Sequence, residues 1–521
     1  MKEHSVRIAT IILAAGKGTR MKSSKAKFLH DVGGKPMVVR SVETAERLGG
    51  ERPIVVIGHE GEAVQALLSD RAQFAFQPEL LGTGHAVMQA MPLLHGKADL
   101  VVVYYSDMPL LRTETLQRLI TAQMGNSGAI SLLTMIYDDP RGFGRIIRRT
   151  DGAVVDIVEE RECTPEQYKI KELNAGVYCF RADWLWDNLS TLRMRSNGEY
   201  YLTDMVPIAA AEGLSNVGIV NDDLDETIGV NNRVHLAEVE AALRRRINQH
   251  WMLEGVTILD PQTTYIHEDV TIGADTVILP NTHLYGVTRI GADCVIGPNS
   301  MIVDSVVGNE CKVEASVAEE AVLEDHVDVG PFSHLRKGAY LSNGVHVGNF
   351  GEIKNSHLGA GTRMGHFSYV GDAEVGRDVN IGAGTITANY DGVHKHKTLI
   401  GDHAFIGSDT ILRAPISVGD HAKTGAGSVV TKNVPPNHLA VGIPARMRAL
   451  DPIPSYEEKP TDQVNLKEVL KAMEPERVYP SEYIDDLRAK LAEIEVATQD
   501  ELETLDAQHI IDLAKRHRLI E

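Results

Sequence analysis

The chain has 521 residues, of which 43% are hydrophobic and 24% charged, and its formal net charge is −20 at pH 7. This length exceeds what one ordinary hydrophobic core fills, so two or three globular domains are expected. The acidic excess opposes general affinity for nucleic acids or anionic membranes, and we find neither an export signal nor an apolar run of membrane-spanning length. These features predict a cytoplasmic protein without nucleic-acid or membrane partners.

Residues 1–230 have the pattern of an α/β domain with a mainly parallel sheet, because short apolar runs alternate with stretches of helical periodicity. The predicted strands are Ile8–Leu13, Ile54–Ile57, Leu100–Tyr104 and Ala129–Met135. Helices are predicted over Pro36–Leu48 and Thr113–Met124. A run without Gly or Pro, Arg233–Leu253, predicts a connecting helix, so residues 231–255 are interpreted as a linker.

From Val256 onward, an aliphatic residue followed by glycine recurs at spacings that are multiples of six or close to it. The clearest cases are Ile272-Gly273, Ile290-Gly291, Ile296-Gly297, Val375-Gly376, Ile381-Gly382, Ile400-Gly401 and Ile406-Gly407. So short a repeat fits a β-helix in which each six-residue stretch forms one flat side and a turn. The aliphatic side chain points into the coil and the small residue permits the corner. A β-solenoid is therefore predicted over residues 256–450.

The C-terminal residues 451–521 lack this repeat. A proline-containing stretch, Asp451–Pro460, leads into helix-like sequence such as Glu482–Ile494. The segment holds 18 acidic and 9 basic residues, a balance that favours a solvated helical extension over a specific binding site. The four cysteines, Cys163, Cys179, Cys294 and Cys311, have no metal-ligand spacing and are interpreted as reduced packing residues.

The run from Leu13 to Met21, LAAGKGTRM, follows directly after a predicted strand. Its small residues let the backbone fold closely around phosphates, while the amides and the Lys and Arg side chains neutralise negative charge. The spacing is neither that of a dinucleotide-binding GxGxxG motif nor that of a P-loop, and Lys27 lies close behind. This combination resembles the signature of sugar-1-phosphate nucleotidyltransferases.

Further motifs narrow the resemblance. In chain order they are Gln77, Leu81-Gly82-Thr83-Gly84-His85-Ala86, Tyr104-Tyr105-Ser106-Asp107-Met108-Pro109, Gly142-Phe143-Gly144-Arg145, Val158-Glu159-Glu160, Asn174-Ala175-Gly176, Gly198-Glu199-Tyr200-Tyr201-Leu202-Thr203-Asp204 and Gly229-Val230-Asn231-Asn232-Arg233. Over residues 6–448 the chain resembles the bacterial bifunctional N-acetylglucosamine-1-phosphate uridyltransferase and glucosamine-1-phosphate N-acetyltransferase family. The resemblance implies a Rossmann-like domain followed by a left-handed, three-sided β-helix, a homotrimer, and the co-substrates UTP and acetyl-CoA.

In the front domain, attack of a sugar phosphate on the α-phosphate of UTP brings like charges together and requires a divalent cation. Asp107, just past an apolar strand, is well placed to bind Mg²⁺. The resemblance assigns Mg²⁺ to Asp107 and Asn231, and the triphosphate to Lys27 and Arg20. It assigns the uracil to Gln77, Gly82 and Thr83, the amino sugar to Gly144, Glu159 and Asn174, and further substrate contacts to Leu13, Ala14, Ala15 and Gly16. Two residues depart from the family pattern: Ala26 stands in place of Pro, and Ser106 in place of Gly.

In the rear domain, histidines and lysines interrupt the solenoid pattern between Arg336 and Lys397. Acetyl transfer from a thioester to an amine needs a base, and His366 is the natural candidate because its ordinary pKa is near neutrality. By resemblance, His366 is the general base, Arg336, Lys354 and Lys395 hold the sugar phosphate, and Tyr369 and Asn380 bind the sugar. The acetyl-CoA site is assigned in the same way to Asn389, Tyr390, Ser408, Ala426 and, as a further candidate, Thr424. Ile443 occupies the position of an arginine that meets the cofactor phosphates in some members, so Arg446 or Arg448 is expected to replace it.

Two alternative functions remain open from the residues. The chain could retain only the front activity, with the β-helix as a trimerisation or effector scaffold, or it could be a sugar-nucleotide-binding regulator without activity. The set of His366, Tyr369, Asn389-Tyr390 and Lys395 favours two activities, because a scaffold has no need of these side chains.

Overall fold

The protein is described by a computed structural model that covers residues 6–58, 61–139 and 142–450, together with seven C-terminal residues. The chain divides into two compact units, Met1–Leu450 and Asp451–Glu521. The seven residues of the second unit are all helical: Arg488, Ala489, Leu491, His509, Ile510, Leu513 and Ala514. The helical character predicted for the rest of residues 451–521 lies outside the described residues.

The N-terminal part is built on a nine-stranded mixed sheet. Its strands and those of a small hairpin are β1 (Ile8–Ala14), β2 (Asp31–Val32), β3 (Lys35–Pro36), β4 (Ile54–Ile57), β5 (Gln73–Phe76), β6 (Leu100–Tyr105), β7 (Ile130–Ile136), β8 (Arg145–Arg148), β9 (Val154–Val158), β10 (Glu172–Arg181) and β11 (Val217–Val220). The order is β11-β7-β10-β6-β1-β4-β5, with the β8–β9 hairpin attached to β10. Strands β1, β4, β5 and β6 are parallel, whereas β10 runs antiparallel to β6 and β7.

Helices pack on both faces of this sheet. They are α1 (Met37–Leu48), α2 (Gly61–Leu68), α3 (Thr83–Leu94), α4 (Thr113–Gly125), α5 (Ala182–Leu189), α6 (Met205–Ala211) and α7 (Arg233–Leu253). The four predicted strands and two predicted helices are confirmed to within about two residues, and α7 has the predicted bounds. One apolar cluster, which includes Ile11, Val101 and Phe180, covers one sheet face, and a second, with Ile12, Val102 and Leu116, covers the other. Because β1 and β6 are parallel neighbours, their carboxyl ends lie side by side at one edge of the sheet.

The C-terminal part of the first unit is a β-helix with three sheets of parallel strands, one of which ends in an antiparallel hairpin. In chain order, β12 to β42 span Thr257–Ile258, Tyr265–Ile266, Thr271–Ile272, Val277–Ile278, His283–Tyr285, Arg289–Ile290, Val295–Ile296, Met301–Val303, Val306–Val307, Lys312–Val313, Val317–Glu319, Val322–Leu323, Asp328–Val329, His334–Leu335, Ala339–Leu341, His346–Val347, Gly351–Lys354, Ser356–Leu358, Arg363–Met364, Ser368–Gly371, Ala373–Val375, Asn380–Ile381, Ile386–Ala388, Thr398–Ile400, Phe405–Ile406, Ile411–Arg413, Ile416–Val418, Lys423–Thr424, Val429–Val430, His438–Gly442 and Ala445–Ala449.

Every third strand of the coil pairs in the same sheet. We call these sheets face 1 (β12, β15 and onward to β42), face 2 (β13 to β40) and face 3 (β14 to β38). In each short strand one side chain is buried and its neighbour is more exposed, as at Val295-Ile296 and Val322-Leu323. Because side chains alternate across a strand, the aliphatic residue of each repeat stacks inside the coil. The predicted β-solenoid is confirmed.

The two domains of the first unit share one apolar core. Leu243 and Ile247 of α7 belong to the same cluster as Val32 of the β2–β3 hairpin and Ile258 of the first coil. Asn248 of α7 donates from its amide nitrogen to the carbonyl oxygens of Pro261 and Thr264, at 2.9 and 3.0 Å. The linker helix is therefore packed against both domains. No helix among the described residues is long and apolar enough to cross a membrane.

Candidate functional sites

The front site begins at the carboxyl end of β1. Leu13 and Ala14 are buried in that strand, whereas Gly16 and Lys17 of the following loop are exposed. Gly18 has φ of 60°, and a Cβ atom there would lie 2.5 Å from the Cβ atom of Lys27. Only glycine satisfies both the left-handed backbone and this close approach. The loop therefore folds back against Lys27, as expected of a loop that surrounds phosphates.

Lys27 lies at the centre of a small polar cluster. Its Nζ atom lies 2.5 Å from Oδ2 of Asp107 and 2.9 Å from Oδ1 of Asn231. Arg20 donates to the same Asn231 oxygen at 2.9 Å. The backbone NH of Val230 donates to the carbonyl oxygen of Asp107 at 2.8 Å, which holds the two segments side by side. Two cations and two oxygen ligands from four segments thus converge.

The oxygens of Asp107 and Asn231 are suited to Mg²⁺. Both lie within hydrogen-bonding distance of one Lys27 atom, so they face a common point. Carboxylate and amide oxygens are ligands that Mg²⁺ accepts, with phosphate oxygens and water completing the shell. Among the described residues no group of three or more His, Cys, Asp or Glu side chains is arranged for a metal. With Asp107 and Asn231 as its protein ligands, the ion would take its other ligands from substrate phosphates and water.

A cavity of about 440 Å³ lies beside this cluster. Among the predicted front-site residues, it is lined by Gly82, Thr83, Asp107, Gly144, Glu159, Asn174 and Asn231. Leu13, Lys27, Arg20 and Gln77 do not line it. Ala14, Ala15 and Gly16 line a separate cavity of about 50 Å³ under the phosphate loop. The structure thus brings the residues predicted to bind sugar and metal together with Gly82 and Thr83 around one cavity.

Glu159 is a largely buried carboxylate among the predicted ligands. It is largely removed from water, and this burial raises the pKa of its carboxyl group. Its Oε1 atom accepts a hydrogen bond from the Thr203 hydroxyl at 3.4 Å. Asn174 is buried, donates to the Tyr178 hydroxyl at 2.7 Å and accepts from the Gly176 NH at 3.0 Å. Both side chains are thus held in place before any ligand binds.

Gln77 and Thr83 are also fixed by local contacts. The Gln77 amide nitrogen lies 3.1 Å from the carbonyl oxygen of Gly82 and 3.2 Å from Nδ1 of His85. The Thr83 hydroxyl accepts from the backbone NH of Leu202 at 3.0 Å. Gly82 has φ of 93° and precedes α3, so its backbone turns the chain into that helix. These contacts join residues 77–85 to residues 200–202 on one side of the site.

The rear site includes one corner of the β-helix, between faces 1 and 2. His366 lies in the turn that joins β30 to β31 and is exposed. Backbone hydrogen bonds of 2.6 to 2.8 Å connect this corner from one coil to the next. They run from Gly384 NH to Phe367 O, from Asp409 NH to Ala383 O and from Gly427 NH to Ser408 O. His366, Ser408 and Ala426 therefore lie along one exposed ridge.

A cluster of cations follows face 2 at the next corner. Lys395 lies so close to Lys354 that it lowers the pKa of the Lys354 ammonium. Arg336 is nearby and forms an ion pair with Glu352 at 2.8 Å. Tyr369 lies on face 2, one coil beyond Glu352. Two neighbouring lysines and one arginine form a site that favours an anion such as a phosphate.

The loop after β34 is an extra projection from the coil. Residues that are hydrogen-bonded between adjacent coils are 25 positions apart where this loop is inserted, as for Arg377 and Asp402. In neighbouring coils such partners are 16 to 18 positions apart. Tyr390 pairs with Lys395 across this projection and is 59% exposed. Asn389 is buried at its base, where its amide donates to Asp372. Asn389 therefore anchors the loop from within.

Other predicted rear-site residues lie apart from these groups. Asn380 projects from face 1, not from face 2 with Tyr369. Thr424 points into the coil, where its hydroxyl accepts from Gly407 NH at 2.9 Å and bonds Thr410, so only its backbone could reach a ligand outside. Arg446 and Arg448 lie on exposed β42, while Ile443 is 77% exposed in the turn before it.

Two family models match the chain. The MobA-like NTP transferase domain matches residues 10–143, and the bacterial transferase hexapeptide model matches residues 269–304 and 397–432. Proteins named bifunctional protein GlmU are 48% identical in Heliobacterium modesticaldum and 47% identical in Carboxydothermus hydrogenoformans, each over 432 residues. These matches cover 83% of this chain and 94% and 96% of the relatives. The chain belongs to the GlmU family.

A third GlmU relative, from Pelobacter propionicus, is 44% identical over 438 residues. As a GlmU family member, the chain combines a nucleotidyltransferase domain with a hexapeptide acetyltransferase domain and is a bifunctional enzyme. This confirms the family predicted from the motifs, the fold class and both types of group transfer. A solved structure, a putative glucose-1-phosphate thymidylyltransferase from Bacillus anthracis, covers 45% of this chain at 19% identity with a TM-score of 0.38.

Sequence reasoning assigned no role to several residues that line the front cavity of this GlmU chain. They are Tyr105, Met108, Gly142, Phe143, Ala175, Gly176, Glu199, Tyr201, Thr203, Thr227 and Gly229. Most belong to the motifs that carried the resemblance, so the signal was present in the sequence. Which motif members face the cavity is decided by side-chain direction, and a motif does not contain that information.

Proposed function

We propose that the chain makes UDP-N-acetylglucosamine in two steps, acetyl transfer to glucosamine-1-phosphate at the rear site and uridylyl transfer at the front site. The proposal rests most directly on the convergence of Lys27, Arg20, Asp107 and Asn231 beside a cavity that contains Glu159. A cationic cluster next to two oxygen ligands suits a triphosphate and its metal ion. The neighbouring buried carboxylate and amide suit the hydroxyl and acetamido groups of a sugar.

In the front reaction, an oxygen of N-acetylglucosamine-1-phosphate attacks the α-phosphorus of UTP. A new bond to that phosphorus forms, the bond to the bridging oxygen breaks, and pyrophosphate leaves. Asp107 and Asn231 would hold Mg²⁺, which neutralises phosphate charge and aligns the reacting groups. Lys27 and Arg20 balance the charge that develops on the leaving pyrophosphate. Glu159 and Asn174 orient the sugar, and Gln77, Gly82 and Thr83 hold the uracil.

In the rear reaction, the amino group of glucosamine-1-phosphate attacks the thioester carbonyl of acetyl-CoA. His366 accepts the proton that the attacking amine loses, and the CoA thiolate leaves when the tetrahedral intermediate collapses. Arg336, Lys354 and Lys395 hold the sugar phosphate, while Tyr369 and Asn380 contact the sugar. Asn389, Tyr390, Ser408 and Ala426 line the acetyl-CoA site, with Arg446 or Arg448 at its phosphates.

We further propose that the rear site is completed by a second copy in a homotrimer. Asn380 projects from face 1, whereas the cations that would hold the sugar phosphate lie beyond face 2. A small sugar phosphate cannot contact residues on separate faces of one coil, but two faces from neighbouring copies can enclose it. The left-handed coil, the cytoplasmic location and the division into residues 1–230, 231–255, 256–450 and 451–521 are part of this proposal.

The test is a coupled assay on the full chain. Thiol release from acetyl-CoA and glucosamine-1-phosphate is followed first, and pyrophosphate release is then followed after addition of UTP and Mg²⁺. Asp107→Ala is expected to abolish only the pyrophosphate signal and His366→Ala only the thiol signal. Asp70→Ala and His421→Ala, at exposed positions outside both sites, are matched controls.

Two results would contradict the proposal. Pyrophosphate release that requires added N-acetylglucosamine-1-phosphate, without any thiol release, would reduce the β-helix to a scaffold. Full activity in Asp107→Ala or His366→Ala would reject the assigned roles. A mass in solution other than that of three chains would reject the trimer, whatever the two activities are.

A further inference from the structure

The loop Gly142-Phe143-Gly144 forms part of the wall of the front cavity. Gly144 is tied directly to a predicted sugar ligand, because its carbonyl oxygen accepts from the backbone NH of Asn174 at 2.9 Å. The chain runs from this loop into β8, which pairs with β9, and Glu159 follows β9 immediately. The position of the loop therefore affects the relative positions of Gly144, Asn174 and Glu159, the three candidate sugar ligands.

Arg145, the next residue, is fully buried behind this loop. Its NH1 group donates to the carbonyl oxygen of Phe143 and lies 3.1 Å from Oε2 of Glu160. The guanidinium carbon lies 4.7 Å from the centre of the Tyr168 ring, a favourable cation–π contact. Within the described part of the chain, its Nε and NH2 groups have no hydrogen-bond partner.

Glu160 completes the contact from the other end of the loop. The same Oε2 atom that faces Arg145 accepts from the backbone NH of Gly142 at 3.0 Å. One carboxylate thus holds Gly142 and Arg145, and Arg145 in turn holds Phe143. We call Arg145 and Glu160 the loop clamp.

The Arg145 guanidinium is fully buried, whereas the Glu160 side chain is 27% exposed. Burying a charged group is an expensive way to stabilise a fold, because an apolar pair of similar volume is often equally stable. The clamp contacts the loop backbone, and neither side chain lines the cavity. Its geometry is specific, since one charged pair is hydrogen-bonded to the backbone NH of Gly142 and to the carbonyl oxygen of Phe143. These features indicate a role in holding the wall and not in general stability.

We infer that Arg145 and Glu160 are positioning residues that set the affinity of the front site for the sugar phosphate. This inference rests on the proposed uridylyl transfer. The clamp acts on the loop next to Gly144, Asn174 and Glu159, whereas the predicted uracil contacts are held by a separate set of bonds at residues 77–85 and 200–202. Loss of the clamp therefore affects sugar-phosphate binding and leaves UTP binding intact.

The experiment measures pyrophosphate release by the full chain over a range of concentrations of each substrate. Arg145→Met and Glu160→Ala are expected to raise the KM for N-acetylglucosamine-1-phosphate about tenfold, the order expected for loss of a charge-assisted hydrogen bond. The KM for UTP and the rate of thiol release at the rear site are expected to stay unchanged. Glu160→Gln is expected to recover most of the loss, because its amide oxygen can still accept from Gly142 and Arg145.

Arg149→Met is the matched control. Arg149 lies on the same hairpin, but it is exposed and pairs with the neighbouring Asp151. An unchanged sugar-phosphate KM in both clamp variants, or an equal rise in the KM for UTP, would overturn the inference. If Arg145→Met fails to fold, the inference is tested by comparing the KM for N-acetylglucosamine-1-phosphate in Glu160→Ala and Glu160→Gln. Absence of pyrophosphate release in the unmodified chain would instead contradict the proposed function itself.

Discussion

Glu159 and Asp107 are two carboxylates in one cavity with different surroundings. Asp107 lies 2.5 Å from the ammonium group of Lys27, so a cation compensates its charge. Glu159 accepts a hydrogen bond from the Thr203 hydroxyl at 3.4 Å, and burial raises the pKa of its carboxyl group. At the residue scale, environment thus separates the proposed metal ligand, which must stay charged, from the proposed sugar ligand, whose carboxyl group has a raised pKa.

This difference predicts how sugar binding depends on pH. Because the pKa of Glu159 is raised, its carboxylate takes up a proton at a higher pH than an ordinary glutamate does. Only the ionised form accepts hydrogen bonds from sugar hydroxyls through both oxygens. The KM for N-acetylglucosamine-1-phosphate should therefore be constant at high pH and rise as pH falls through this raised pKa.

Steady-state pyrophosphate release between mildly acidic and neutral pH measures this effect. Glu159→Gln should bind the sugar phosphate weakly at every pH and lose this pH dependence, since its amide does not titrate. A Glu159→Gln variant with the same pH profile as the unmodified chain would assign the titration to another group.

At the element scale, the start of α7 connects helix capping to the metal site. The Asn232 side chain accepts from the backbone NH groups of Val234 and His235, both at 2.9 Å. This cap satisfies two of the NH groups that a helix leaves unpaired at its first turn. Asn231, the proposed Mg²⁺ ligand, immediately precedes the cap, so the cap also fixes the backbone that carries the ligand.

Removing the cap is therefore expected to impair the front reaction. Asn232→Ala should cost about 1 kcal/mol of stability and lower the rate of uridylyl transfer, with a higher Mg²⁺ requirement because Asn231 is less well held. Asn232→Asp retains a capping oxygen and should recover the stability. Thermal unfolding and pyrophosphate release against Mg²⁺ concentration measure both effects, and an unchanged Mg²⁺ requirement in Asn232→Ala would separate the cap from the metal site.

Equivalent glycines in successive coils of the β-helix differ in whether the space around them can hold a side chain. A Cβ atom on Gly348 would lie 2.0 Å from the carbonyl oxygen of Gly365, whereas a Cβ atom on Gly365 would meet nothing within 4 Å. Parallel strands of adjacent coils are only about 4.8 Å apart. A side chain at position 348 would therefore collide with the backbone of the next coil, whereas one at position 365 would not.

Gly348→Ala is expected to destabilise the β-helix by about 2 kcal/mol, a typical cost of overpacking. Gly365→Ala, one coil further on, should leave the unfolding temperature nearly unchanged. Calorimetry of the two variants under the same conditions measures the difference. Equal unfolding temperatures would show that the coils relax without cost.

At the scale of the whole molecule, the front domain and the β-helix are joined by a continuous core and by charged contacts of unequal burial. Arg40 has a side chain only 6% exposed, pairs with Glu268 at 2.9 Å and donates to the carbonyl oxygen of Val32. Lys35 pairs with Asp269 at 3.1 Å, but that carboxylate is 50% exposed. Since solvent weakens an exposed pair, the two contacts should contribute differently.

Glu268→Ala leaves a buried guanidinium with one carbonyl partner and should lower the stability of the junction by about 2 kcal/mol. Asp269→Ala, one residue further on, should have almost no effect. Because the two activities report on the two domains, residual pyrophosphate and thiol release after heating show which domain fails first. Similar losses in the two variants would indicate that the apolar core alone holds the junction.

The motifs' resemblance to a known family implied the two types of group transfer, and patterns in the sequence alone determined the order of the domains and the β-helix. These signals are local: a strand followed by a small-residue loop, and an aliphatic residue before glycine at spacings near six, each specify a short structure through nearby backbone geometry. The linker helix was predictable for the same reason, because Arg233–Leu253 combines helical spacing with the absence of Gly and Pro.

Only the tertiary structure decided which side chains meet. Lys27 contacts Asp107 and Asn231 across 80 and 204 residues, a convergence produced by strand order and by no local pattern. The fold separated Asn380 from the cations proposed to bind the sugar phosphate by placing them on different faces, and it turned Thr424 into the coil. The fold also places Glu160 within hydrogen-bonding distance of Arg145. Side-chain direction and long-range pairing depend on the packing of the whole chain, and a motif read along the sequence does not contain them.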